Sequence, residues 1–243
     1  MIRIFSWSLT ASLLVVLVAA FIATGNSSAT SRQGSTPEGS LAHAIAFREG
    51  FGLRSDVPYV SRMEADPSAN RTLGVALTDA EFRDIDGRQT RIQAIIVPLT
   101  EALQADPTFA GLYINQKAQG RLEIRSTSRD PHHFDPILAH YSSAGGQFRV
   151  LDADYSQAEL EKLQGLVADD IPVWLAQGVR IASVGIDVTT NRLAISVADL
   201  TDATEAAMIA KYGNAVSVRL GQLFSANVAI CTYGVDCPTP ASN

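Results

Sequence analysis

Histidine and cysteine are scarce in this chain: four of one and two of the other among 243 residues. That leaves few ligands from which to build a transition-metal centre. The usual catalytic signatures are missing too. There is no Gly-x-Ser-x-Gly elbow, no His-Glu-x-x-His, no Walker loop and no dinucleotide-binding glycine pattern. Their absence removes the motif-borne hydrolase, metalloprotease, nucleotidase and dehydrogenase readings. Positive charge is also short, with 19 Lys and Arg against 25 Asp and Glu. Arg3 is the one charged residue before Arg32, so the chain beyond residue 31 holds 18 basic against 25 acidic residues, net −7. Such a balance argues against nucleic acid or an anionic membrane surface as a partner.

The first thirty residues have what the rest lacks, an unbroken apolar run. It spans residues 13–23, after basic Arg3 and before the small residues that end in Ser27, Ser28 and Ala29. A basic start, an apolar centre and a small-residue exit describe a secretory signal. The uncharged stretch, at ~20 residues, is also long enough to cross a bilayer as a helix. A cleaved signal peptide and a retained signal anchor both remain open. In the second case the positive end stays inside and the residues after about 30 face out. Either way the expected location is extracytoplasmic, secreted or held by one N-terminal span. Residues 24–40 are small and polar and read as a tether.

The two cysteines close a short loop near the end, Cys231-Thr-Tyr-Gly-Val-Asp-Cys237. In an exported chain this spacing reads as a Cys231–Cys237 disulfide, which staples the tail and restrains little chain entropy. Two free thiols or half of a metal site are the rival readings.

Between tether and tail one pattern occurs twice. Thr78-Asp-Ala-Glu81 and Ser156-Gln-Ala-Glu159 are capping boxes, each opening a helical apolar spacing. Pro98 and Pro172 fall late in these helices and should kink or end them. Alternating segments follow, 109–116 with 121–126 and 184–188 with 192–197, each pair around a turn. Arg121-Leu-Glu-Ile124 overlays Arg192-Leu-Ala-Ile195 at an offset of 71. A helix (136–142, then 202–212) and a strand (148–151, then 215–220) complete each copy. The expected class is α+β: an N-terminal export or anchor helix, then two tandem α-β-β-α-β units. Each unit is a three-stranded sheet covered on one face by helices. The divisions are 1–31 (export segment), 32–76 (tether and helical lead, with short helices at 41–51 and 57–63), 77–154, 155–222, and 223–243 (tail). Ala42, Ala44, Phe47, Val57, Val60 and Met63 are the lead residues expected to pack on the first unit.

Few residues are candidates for chemistry. Asp130-Pro-His132-His133-Phe-Asp135-Pro136, with His140 after it, is the one polar concentration of note. His133, Asp135 and His140 could ligate zinc. Alternatively this is the turn into a helix, with Asp130 or Asp135 as N-cap and proline at the first helical position. The carboxylate pairs Asp84/Asp86 and Asp169/Asp170 read as solvated helix faces, and Trp174 as core. Asn70-Arg-Thr72 matches a glycosylation acceptor. No cofactor and no catalytic residue is expected.

The segment Gly185-Ile-Asp-Val-Thr-Thr-Asn-Arg-Leu-Ala-Ile195 resembles the pro-region repeat of secreted bacterial chymotrypsin-like proteases, the α-lytic protease and streptogrisin group. Residues 110–116 look like a diverged copy of it. Phe51-Gly-Leu-Arg54 and Leu77-Thr-Asp-Ala-Glu81 are similar to that family's helical lead. The resemblance covers roughly residues 45–222 and implies a non-catalytic folding template that binds a protease and offers it a strand. No protease triad follows residue 222 in this sequence. The reading is therefore a pro-region-like module acting in trans, as chaperone or inhibitor of a secreted or envelope protein, with a chymotrypsin-like protease as one such partner. The alternative is a membrane-anchored module that binds a ligand or partner unrelated to proteases, with membrane contact only through the N-terminal segment.

Overall fold

A computed structural model of the chain describes residues 40–222. The expected export segment, the tether up to residue 39, and Cys231 with Cys237 lie outside the described residues. Among the described residues the fold is α+β, with six α-helices and two three-stranded mixed sheets. No described helix is long and apolar enough to cross a membrane.

The lead consists of α1 (Leu41–Gly50) and α2 (Val57–Ala65). Ser40 and Asp56 cap them by accepting from the amides of His43 and Tyr59. Ala44 and Val60 are fully buried in a cluster with Val75, Leu77 and Ile85. Three expected contact residues lie outside that cluster: Ala42 is exposed, Val57 is 55% exposed, and Met63 is half-buried. Val57 is the first residue of its helix, one turn ahead of the buried Val60. The lead is tied to α3 (Asp79–Gln104) by Arg48, whose side chain is wholly buried. Its guanidinium donates to the carbonyl of Ala76 at 3.1 Å and pairs with Glu81. Glu81 is also half of the capping box, accepting the Thr78 amide at 2.9 Å. Burial pushes the Glu81 carboxyl up, but the Arg48 and Thr78 donors outweigh it and hold it below its ordinary value.

In the first sheet β1 (Phe109–Asn115) is antiparallel to β2 (Arg121–Ser126), which is parallel to β3 (Phe148–Asp152). Ile92, Ile95, Leu99 and Leu103 of α3 pack on Leu122 and Ile124 of the central strand, with Leu138 of α4 (Asp135–Ser142) beside them. The second sheet repeats the arrangement: β4 (Ile181–Asp187) antiparallel to β5 (Arg192–Val197), which is parallel to β6 (Val216–Leu220). Val167 and Trp174 of α5 (Gln157–Ala176) and Met208 of α6 (Asp202–Tyr212) cover it. Both hairpins carry an irregularity at the same place, between Phe109 and Gly111 and between Ile181 and Ser183.

The two late prolines do not end their helices. α3 runs six residues past Pro98 to Gln104, and α5 continues past Pro172 to Ala176. Both prolines are exposed, so the carbonyls they leave unbonded face water, while Leu99, Leu103 and Trp174 keep the later turns docked. Packing outweighs the single lost hydrogen bond in each case.

Asn191 joins the two sheets. It sits at the second hairpin turn with φ +54° and is 2% exposed. Its Oδ1 accepts the amides of Asp154 and Tyr155 at 2.8 and 2.9 Å, and its Nδ2 donates to the Tyr155 carbonyl at 2.8 Å. Arg192 adds an ion pair to Asp154 at 3.0 Å. Gly111 of β1 (φ +118°) leaves room for Val188, whose Cγ1 lies 2.7 Å from where a Cβ would stand. Arg125 reaches the Thr189 carbonyl from the same side. Substituting Asn191→Gly keeps the left-handed backbone and removes all three side-chain hydrogen bonds. It should cost about 1–3 kcal/mol in urea unfolding, with unchanged far-UV dichroism.

Candidate functional site

The sequence candidates for chemistry are separated in space. His132 Nδ1 meets Asp135 Oδ2 at 2.8 Å, whereas His133 Nε2 meets Asp106 Oδ2 at 2.8 Å across the turn after α3. His140 is exposed in the last turn of α4, its ring edge-on to Tyr141. No group of three His, Cys, Asp or Glu among the described residues is placed to hold a metal ion. Neither expected N-cap serves α4. Phe134 occupies the cap position without a side-chain bond, and Asp135 is the first helical residue. Phe134 is completely buried in the first core, and that burial sets where the helix begins. Asp130 instead accepts the His132 amide at 2.9 Å inside the preceding turn. Asp84 pairs with Arg88. Asp170 is not simply solvated: it takes Lys211 Nζ and Tyr212 Oη at 2.8 Å each, which holds its carboxyl below the ordinary value. Trp174 Nε1 donates to the same Tyr212 hydroxyl at 2.7 Å.

The feature with unmet bonding capacity is a strand edge. β3 pairs with β2 on one side and with no strand on the other. Leu122 donates to the Gln147 carbonyl and Ala153 to the Ser126 carbonyl, both at 2.8 Å. Backbone groups of a strand alternate in direction, so residues 147, 149, 151 and 153 bond β2. Phe148 and Val150 turn their N–H and C=O to the free edge, and Asp152 its N–H, its carbonyl being taken by Arg125 Nη1 at 3.0 Å. β6 has the same parity, since Gly221 donates to the Val197 carbonyl at 2.8 Å.

Beside the β3 edge runs an open groove of about 400 Å³ between β3 and α4. Leu138, Phe148 and Val150 supply its apolar surface, with Gly146 at one end and His132, Asp135 and Ser142 as polar margin. A Cβ at Gly146 would stand 2.2 Å from the Phe148 ring, so a larger residue there would have to displace that side chain. The site thus pairs a row of free backbone groups with an apolar trough on the core side of the same strand.

The opposite face of the sheet is polar and carries Tyr113, Asn115, Arg121, Glu123, Arg125 and Arg149 by alternation from the core residues. Glu123 is 4% exposed. Burial alone would raise its carboxyl. Tyr113 Oη at 2.6 Å, Arg121 Nη2 at 2.8 Å and Asn115 Nδ2 at 2.7 Å outweigh that and hold it at about 2. Of the three arginines on this face, Arg121 is the one that pairs with this carboxylate. Sequence reading missed Glu123 because one polar residue in an alternating strand looks solvated. Its only signal was the register that sets Tyr113 directly across from it.

A carboxyl lowered on folding stabilises the fold above its ordinary value of 4.5, and the gain is lost as pH falls towards about 2. The contribution at neutral pH is about 3 kcal/mol. Glu123→Gln should be less stable than the parent at pH 7, and urea midpoints should show that difference narrowing as pH falls from 4.5 towards 2.

No protein-family model matches the chain, and no curated protein matches it in sequence.

Proposed function

We propose that this chain is an exported, non-catalytic protein-binding module that captures an extended segment of another secreted or envelope protein on the β3 edge. The observation that carries the reading is the free backbone of Phe148 and Val150 lying next to the groove. Strand addition needs these two elements: main-chain partners for affinity and a trough for alternate side chains. In keeping with the resemblance to protease pro-regions, the module acts in trans on a separately made chymotrypsin-like protease or a similar envelope protein. There it serves as folding chaperone or inhibitor.

The two α-β-β-α-β units descend from one by duplication. Identical strand order, a matching irregularity in each hairpin and the same edge parity support that descent. Export through the N-terminal segment and a Cys231–Cys237 disulfide belong to the same reading, which the signal-like sequence and the cysteine spacing support.

Val150→Pro separates binding from folding. The Val150 N–H faces the free edge, so proline there removes no bond to β2. The variant should keep the parent melting temperature to within a few degrees. Titration of the parent against a panel of secreted chymotrypsin-like proteases should give saturable inhibition near one-to-one stoichiometry. Val150→Pro should weaken that inhibition tenfold or more. A folded parent that inhibits none of the panel overturns the protease reading, and inhibition unaffected by Val150→Pro overturns the β3 edge as its site.

A further inference from the structure

Arg149 is the second residue of β3, exposed, on the face opposite the groove. Its cross-strand neighbour on β2 is Glu123. That carboxylate is already taken by Tyr113, Asn115 and Arg121, and no carboxylate among the described residues forms an ion pair with Arg149. Arg125, the third arginine of this face, is used up on the carbonyls of Asp152 and Thr189. The edge therefore presents one unengaged cation midway between two residues that face an apolar trough.

A strand added to β3 places its side chains directly beside those of its neighbours, on alternating faces. Residues opposite Phe148 and Val150 drop towards Leu138 and the groove. The residue between them lies beside Arg149. We infer that the β3 edge selects an extended segment with the pattern apolar–acidic–apolar. The carboxylate pairs with Arg149 and the flanking aliphatic or aromatic side chains fill the groove between β3 and α4. This rests on the strand-capture reading and adds its specificity. A basic residue at the middle position would face Arg149 with like charge, which is destabilising across strands, so the same arginine that attracts one sequence rejects another.

The test uses the full chain in mild detergent and two labelled peptides of eight residues, identical except for a central Val-Glu-Leu or Val-Lys-Leu. Binding is followed by fluorescence anisotropy to millimolar peptide. The Glu peptide should bind at least threefold tighter than the Lys peptide, and the ratio should fall towards one as salt is raised. Arg149→Glu should invert the order, and Arg149→Gln should level it. Val150→Pro should abolish binding of both peptides. Equal binding of the two peptides, or a preference that survives Arg149→Glu, overturns the inferred selectivity while leaving strand capture standing. Binding of neither peptide, or binding that Val150→Pro does not change, overturns strand capture at β3 itself and the selectivity with it.

Discussion

A three-stranded sheet has one strand with neighbours on both sides, and everything about this fold follows from managing the other two. β2 and β5 are the central strands and carry the deepest core residues: Leu122 and Ile124 in one, Leu193 and Ile195 in the other. An exposed strand edge invites indiscriminate pairing, which proteins restrain by shortness, charge and cover. β1 receives cover. Gly111, at the irregularity in its pairing, admits Val188 of the second hairpin, and α5 packs against the same strand. β3 receives the other two restraints. It is five residues long and has an arginine at its second position. These features do not close the edge; they narrow what can pair with it.

The two hairpin turns show how a repeated backbone can carry different duties. Gly120 and Asn191 occupy matching positions, 71 residues apart, and both adopt left-handed backbone, at φ +76° and +54°. At Gly120 a Cβ would stand 3.0 Å from Ile92 Cδ1, so a side chain there would have to push Ile92 aside. That turn is instead fastened from outside, by Arg88 donating to the Gln116 carbonyl at 3.0 Å while it also holds Phe51 of the lead. At Asn191 the side chain has room and reaches the residues just before α5. The first turn ties the lead to its sheet, and the second ties one sheet's exit to the next sheet's entrance. Asp154 and Tyr155, between the first sheet and α5, are thereby bonded at three points.

Much of this was legible in the sequence because it is set locally. Thr78 with Glu81 and Ser156 with Glu159 define helix starts through contacts three residues apart, and both capping boxes form as the pattern indicates. α6 spans Asp202–Tyr212, the range its pattern gives. What escaped reading depends on partners far along the chain. Whether Pro98 ends α3 is decided by Leu99 and Leu103 docking on the sheet. Whether Asp135 caps α4 is decided by burial of Phe134. Glu123 looks like a solvated strand residue until the register brings Tyr113 and Asn115 onto it. The groove is less legible still, since its apolar surface comes from Leu138, Phe148 and Val150, on two separate elements.

The polar side chains near the site are largely spent on the fold's own contacts. His132 is bonded to Asp135, His133 to Asp106, and Glu123 to three donors. What β3 holds in reserve is its outward backbone, an apolar trough and the Arg149 guanidinium. Backbone pairing is indifferent to sequence, because every residue except proline offers the same donor and acceptor. An edge that relied on it alone would bind any extended chain, including another copy of itself. Discrimination must come from the two faces that the added strand's side chains occupy. Here those faces differ in kind, one apolar and one cationic, and that difference converts an aggregation-prone strand edge into a selective one.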